Sequence, residues 1–202
     1  METDPKEERR QEILLAALRA FAEKGYDKTT VEDIVRISNL SKGTLYWYFE
    51  NKQAIFSGLI EMVFSEIWRT FEVVLAQTAD EAPPDRIRHL LTAFMPVMDE
   101  SINWVGLYAD FFNQAWRNPS LRAEFHDQYK RYIDVLEPVV RQGIDGGYFR
   151  AVDSHATAQM LVGALDGYWF QQILDLGNAE PIITQYAETI VRGLMKDDAS
   201  NG

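Results

Sequence analysis

Three observations predict an all-α fold. Apolar residues recur at helical spacing along nearly the whole chain, no stretch alternates strictly between apolar and polar residues, and Pro, Gly and capping residues divide it into about nine segments of helix length. With 202 residues, 47% of them hydrophobic, the chain is long enough to bury a sizeable core.

The first helix is predicted to begin at Asp4-Pro5, an N-cap followed by a Pro at the first helical position, with Glu7 placed to complete a capping box. Ile13, Leu14, Ala17, Leu18 and Phe21 then form one apolar stripe, and Gly25 stops the helix. Thr29-Thr30 can cap a short second helix running through Ile37, with Asp33 three residues after Thr30 and Val31, Ile34 and Val35 facing inward. Ser38-Asn39-Leu40 reads as a turn, and Ser41 caps a third short helix from Lys42 to about Phe49. A fourth helix, from about Asn51 to Gln77, would be ~40 Å long at ~1.5 Å per residue. Ala82-Pro83-Pro84 breaks it, and further helices are expected over 85–100, 103–116, 119–143, 154–176 and 181–196. Pro96 and Pro138 are expected to kink or end helices.

Composition narrows the function. The absence of Cys excludes disulfides, thiol catalysis and Cys-based metal sites. The charged start of the chain and the lack of an apolar run of ~18 residues predict a soluble, cytoplasmic protein with no membrane span. A net charge of −11 seems unsuited to nucleic acid, yet the acids are unevenly placed. Nine basic residues face ten acidic ones up to Lys52, whereas beyond it eleven face twenty-one. The first quarter is therefore close to neutral and able to present a local basic face.

Two short helices joined by a tight turn and braced by a third are what a helix-turn-helix reader of DNA needs. Residues 31–49 fit that plan, with Ile34, Val35, Leu40, Leu45 and Phe49 spaced to pack the pair together as scaffold. The third helix then exposes Lys42, Gly43, Thr44, Tyr46, Trp47 and Tyr48, an unusual set for a solvated face. Lys42 and Thr44 can hydrogen-bond base edges, the aromatic groups can touch thymine methyls or backbone, and Lys52 can pair with a phosphate. From spacing alone the aromatics could equally plug a core beside a short helix.

The stretch from Thr30 to Lys52 closely resembles the helix-turn-helix of the TetR family of transcription regulators. The family's recurrent ending, Ser-Lys-Gly-Thr-Leu-Tyr-x-Tyr-Phe-x-x-Lys, is matched at every position from Ser41 to Lys52, and its upstream pattern by Ile13 to Ala17 and by Phe21 to Tyr26. The likeness covers roughly residues 8 to 60. It departs at Ile37-Ser38-Asn39-Leu40, where the family commonly has Ala-Ala-Gly-Val; Asn tolerates a left-handed turn conformation, so the turn should survive. The resemblance implies DNA contacts from Thr30, Ser41, Lys42, Gly43, Thr44, Tyr46, Trp47, Tyr48 and Lys52. It also implies a DNA-binding domain over about 8–56, with the helix-turn-helix at 31–50, and a ligand-binding and dimerisation domain over 57–196.

For the second domain the family supplies an architecture only. From Ala156 to Leu174 the sole charge is Asp166, and Gly163, Ala164 and Gly167 would let helices approach closely. Residues 154–176 and 181–196 are thus the expected homodimer interface, a four-helix bundle across a two-fold, with burial inside one protomer as the alternative. The expected effector site lies among Phe94, Met95, Met98, Trp104, Tyr108, Phe111, Phe112, Trp116, Asp166 and Trp169, whose soft and aromatic walls suit an apolar or aromatic molecule. Asp99, Asp110 or Asp166 could draw a cationic one.

The expected partners are thus a double-stranded DNA operator, a small-molecule effector and a second copy of the chain. No catalytic residue, metal site or cofactor is expected: His89, His126 and His155 are scattered, and there is no phosphate loop or nucleophile elbow. A helical carrier of apolar ligands that never touches DNA is the alternative, and it leaves the Lys42 to Tyr48 surface unexplained.

Overall fold

The computed structural model describes residues 4–93, 104–174 and 179–196, and among them the chain is helical apart from one isolated bridge. The helices are α1 (Pro5–Lys24), α2 (Val31–Ser38), α3 (Lys42–Tyr48), α4 (Lys52–Gln77), α5 (Pro83–Thr92), α6 (Trp104–Arg117), α7 (Pro119–Asp145), α8 (Ser154–Ile173) and α9 (Ala179–Leu194). Phe94, Met95, Pro96, Met98 and Asp99 lie outside the described residues.

The local signals set the element boundaries. Asp4 accepts from the Lys6 amide at 3.0 Å, and Gly25 closes α1 at a φ of 75°, where a side chain would be strained. Thr30 and Asp33 form the expected capping box, and Ser41 accepts from the Thr44 amide at 3.0 Å. Asn39 holds the turn between α2 and α3 at a φ of 56°, the left-handed position that Asn tolerates best after Gly. α7 runs on through Pro138, so of the two expected effects the proline does not end the helix, and it removes one backbone donor from it. Beside it lies an open groove of about 380 Å³ lined by Asp134, Glu137, Pro138, Arg141, Gln142 and Asp145.

The chain forms two compact units. The first comprises residues up to Ser65 together with 101–125. Phe56 packs edge-on against Phe21 at 5.6 Å and Phe111 at 4.9 Å, and Phe111 meets Phe125 at 5.5 Å, which welds α6 and the start of α7 to α1 and α4. Gly58 sits where an added Cβ would come within 3.0 Å of Phe49 and 3.1 Å of Leu14, so α4 approaches α1 and the end of α3 closely enough that a larger residue would make these side chains give way.

The second unit comprises 66–100 and 126 onward. Trp68 stacks on Tyr132 at 4.9 Å, the Arg131 guanidinium lies 4.5 Å from the Trp68 ring centre, and Phe71 meets Tyr132 edge-on at 5.5 Å. Arg88 on α5 reaches Glu188 on α9 at 2.9 Å. Phe149 bridges to Met195 and covers Gly143, where no Cβ would fit.

Candidate nucleic-acid interface and effector region

The reader is built from caps and a small core. Ile34 on α2 and Leu45 on α3 are fully buried, which turns the opposite face of each helix to solvent. Thr29 lies beneath them, its hydroxyl donating to the carbonyls of Ala20 at 3.1 Å and Gly25 at 2.8 Å. Leu45 and Phe49 are scaffold, as their spacing predicts.

The outward face of α3 carries the residues expected to meet DNA. Lys42, Gly43, Tyr46 and Trp47 are exposed, Trp47 to 66%, and Tyr48 is half-buried against it with ring centres 4.6 Å apart. The aromatics do not plug the core. Ser41 and Thr44 share a hydroxyl contact at 2.8 Å at the head of the helix. A Cβ on Gly43 would meet nothing nearer than the Ser41 hydroxyl at 3.7 Å, so the chain's own packing does not demand glycine there. Lys6 joins this surface, its ammonium 5.3 Å from the Trp47 ring centre, a neighbour that sequence spacing gave no means of finding.

Lys52, expected to pair with a phosphate, has partners within the chain. Its ammonium donates to the Tyr26 carbonyl at 2.8 Å and the Thr29 carbonyl at 2.9 Å and lies 4.3 Å from the Tyr26 ring centre. Burial lowers its pKa. Lys52 ties the head of α4 to the loop between α1 and α2.

That loop is also held from α6. Asp110 accepts from the Tyr26 amide at 2.7 Å and Gln114 donates to Asp27 at 3.0 Å, while just past the end of α6 Asn118 donates to Gln53 on α4 at 3.0 Å. Desolvation raises the Asp110 pKa, an effect the Tyr26 amide only partly offsets. Asp110 is therefore a latch on the reader.

The expected effector residues fall into different surroundings. Phe111 belongs to the core of the first unit, and Trp116 is 82% exposed. Tyr108 and Phe112 remain half-buried side by side, their ring centres 4.9 Å apart. In the second unit Asp166 accepts from the Tyr129 hydroxyl at 2.7 Å. Trp104 and Trp169 lie on α6 and α8.

On α8, Met160 and Phe170 are exposed, as is Leu174 just past its end, and Gly163 and Gly167 are open, with nothing within 4 Å of where a Cβ would stand. Their spacing of three, four, three and four residues puts all five on one helix face.

A capped two-helix reader on a three-helix base, followed by a helical second unit, defines a helix-turn-helix transcription regulator. Residues 13–59 match the family described as bacterial regulatory proteins, tetR family, and the chain belongs to the TetR family. Within it, residues 83–192 match the BetI-type transcriptional repressor C-terminal family. The chain is similar to the uncharacterised HTH-type transcriptional regulator YfiR of Bacillus subtilis (strain 168), 25% identical over 93% of this chain and 94% of that protein. Among solved structures it resembles a TetR transcription regulator from Haloarcula marismortui ATCC 43049, with a TM-score of 0.83 and 20% identity over 94% of this chain and 100% of that one. A putative transcriptional regulator from Saccharomonospora viridis, solved in complex with choline, gives a TM-score of 0.77 and 22% identity over 94% and 99%. No helix among the described residues is long and apolar enough to cross a membrane.

Proposed function

We propose that the chain is an effector-responsive repressor: a homodimer grips a palindromic operator with its two α3 helices and releases it when a small apolar or aromatic molecule binds. The observation that carries this reading is the outward face of α3, where exposed Tyr46 and Trp47 stand beside a glycine that the chain's own packing does not require. Such a face gains nothing for the isolated fold and suits close approach to a groove and its phosphates. Within it, Ser41 and Thr44 at the head of α3 and Thr30 at the head of α2 supply hydroxyls and backbone amides for the sugar-phosphate chain. Lys42, Tyr46 and Trp47 reach toward base edges, while Lys52 positions the reader from behind.

The exposed face of α8, flat at two glycines and free of charge among its five residues, supports pairing with a second copy. A two-fold dimer then presents its readers to half-sites one helical turn of DNA, or a multiple of it, apart. Release follows from the latches: α6 holds Tyr26 and Asp27 through Asp110 and Gln114, so an effector that shifts α6 withdraws support from the reader. An uncharged effector is favoured over a cation because Asp110 and Asp166 already accept hydrogen bonds from Tyr26 and Tyr129.

The test is a mobility shift of the purified chain on the promoter duplex beside its own coding region, with salt varied and an unrelated duplex as control. Salt-sensitive, preferential retention by a dimer is the expected result. Equal retention of both duplexes would favour a ligand carrier that does not read DNA. A thermal-shift screen that finds stabilisation by choline and not by aromatic or acyl compounds would reverse the choice of effector class.

A further inference from the structure

The cations of the helix-turn-helix carry their own counter-charges. Lys24 and Arg36 both reach Asp33, at 2.5 and 3.5 Å, and Lys42 reaches Glu32 Oε1 at 2.5 Å across the gap from α3 to α2. The two acids differ in what else they do. Asp33 closes the capping box with Thr30, and its side chain is 15% exposed; Glu32 has no part in that box, and its side chain is 64% exposed. An exposed ion pair of this kind adds little to stability. A carboxylate outside the capping box is thus fixed beside the first cation of the recognition helix, whose own side chain is 55% exposed.

We propose that Glu32 sets the discrimination between operator and bulk DNA by turning Lys42 from a phosphate clamp into a reader of neutral base-edge acceptors. The inference rests on the DNA-reading role above. An ammonium has three N–H donors. One spent on Glu32 leaves two for the O6 and N7 of a guanine in the major groove, and these acceptors carry no net charge to repel the carboxylate. A phosphate oxygen is an anion. Bringing it to the same ammonium sets it a few ångströms from Glu32, where like charges oppose each other. Non-specific binding consists almost wholly of phosphate contacts, so Glu32 penalises it more than it penalises the operator complex. The mutual hydrogen bond lowers the Glu32 pKa and raises that of Lys42, which keeps both groups charged wherever DNA binding is measured.

The test is a double-mutant cycle on the full chain: wild type, Glu32→Gln, Lys42→Ala and the double variant. Each is titrated against a duplex enriched by the wild type from a random library and against a scrambled duplex of the same length, over a range of salt. Glu32→Gln is expected to tighten binding to the scrambled duplex by roughly two- to fivefold at low salt and to steepen its salt dependence by about one ion. Its gain on the enriched duplex is less than half as large, and in the Lys42→Ala background the substitution changes neither. Equal gains on both duplexes, a gain that persists without Lys42, or no gain at all overturns the proposal. Unchanged thermal midpoints establish that the comparison is between folded proteins. A wild type that enriches no duplex overturns the DNA-reading role and this inference together, whereas a wild type that binds with no coupling between the two residues overturns this inference alone.

Discussion

α3 and α8 both expose large apolar side chains next to glycines that packing within the chain does not require, yet the two surfaces differ in their neighbours. α3 is seven residues long, capped by Ser41, and its aromatics lie beside the ammonium groups of Lys6 and Lys42, at 5.3 Å from Trp47 and 5.9 Å from Tyr46. α8 is twenty residues long, and its open face carries Met160, Gly163, Gly167 and Phe170, with Leu174 just past its end and no charge among them. Exposed apolar surface alone does not announce a partner. The neighbours carry the proposed distinction: cations around the α3 aromatics are what the proposed DNA contact needs, and the uncharged stripe on α8 is what the proposed pairing with a second copy needs.

The contrast fails most visibly if α8 is not an interface. Gly167→Arg places bulk and charge where nothing stands within 4 Å, so the protomer should fold normally. Sedimentation should show the dimer split, and operator affinity should fall by about a hundredfold or more, because the second half-site must then be bound from solution. A dimer that persists with full affinity would remove α8 from the interface.

Lys52 sharpens the boundary of the reading surface, since it belongs to the motif but turns inward. Lys52→Met removes charged hydrogen bonds to two carbonyls and should cost about 1.5–3 kcal/mol in urea denaturation, leaving the salt dependence of DNA binding unchanged. Loss of about one ion from that dependence with no loss of stability would return Lys52 to the phosphates. Trp47→Ala, at a position 66% exposed, should do the opposite: a roughly tenfold loss of operator affinity by titration, with the urea midpoint held.

The smallest effect concerns acid. The Lys24 ammonium, with the Thr30 amide and hydroxyl, holds the Asp33 carboxyl below its ordinary value of 3.8. A depressed carboxylate stabilises the fold above its unfolded pKa, and that contribution is lost as pH falls through the folded one. The melting midpoint of Asp33→Asn should therefore lie below wild type near neutral pH, with the gap closing as the pH is taken below 3.8. A gap that stays constant would mean that the ionised form of Asp33 contributes nothing.

How far the sequence reaches depends on the distance over which each signal acts. Asp4, Thr30 and Ser41 could be read as caps because donor and acceptor lie within three residues, and Asn39 because the left-handed turn is a property of one residue. The α3 scaffold was equally legible, since Leu45 and Phe49 sit at helical spacing. Lys52 was not, because its acceptors lie 26 and 23 residues back, and the Asp110 latch on Tyr26 spans 84. Helical spacing showed which aromatics share a stripe but not which side is covered. Phe111 and Trp116, five residues apart on α6, accordingly end in the core and in solvent.

Pro138 has a consequence in exchange with water. It sits inside a 27-residue helix, cannot donate to the carbonyl of Asp134, and adjoins the groove lined by Asp134, Glu137, Arg141, Gln142 and Asp145. Solvent can reach an unpaired carbonyl there, so backbone amides flanking the proline have a local route to opening that the rest of α7 lacks. In heavy water the helix should give up its protons as two protected blocks separated by a faster seam, each keeping its own clock.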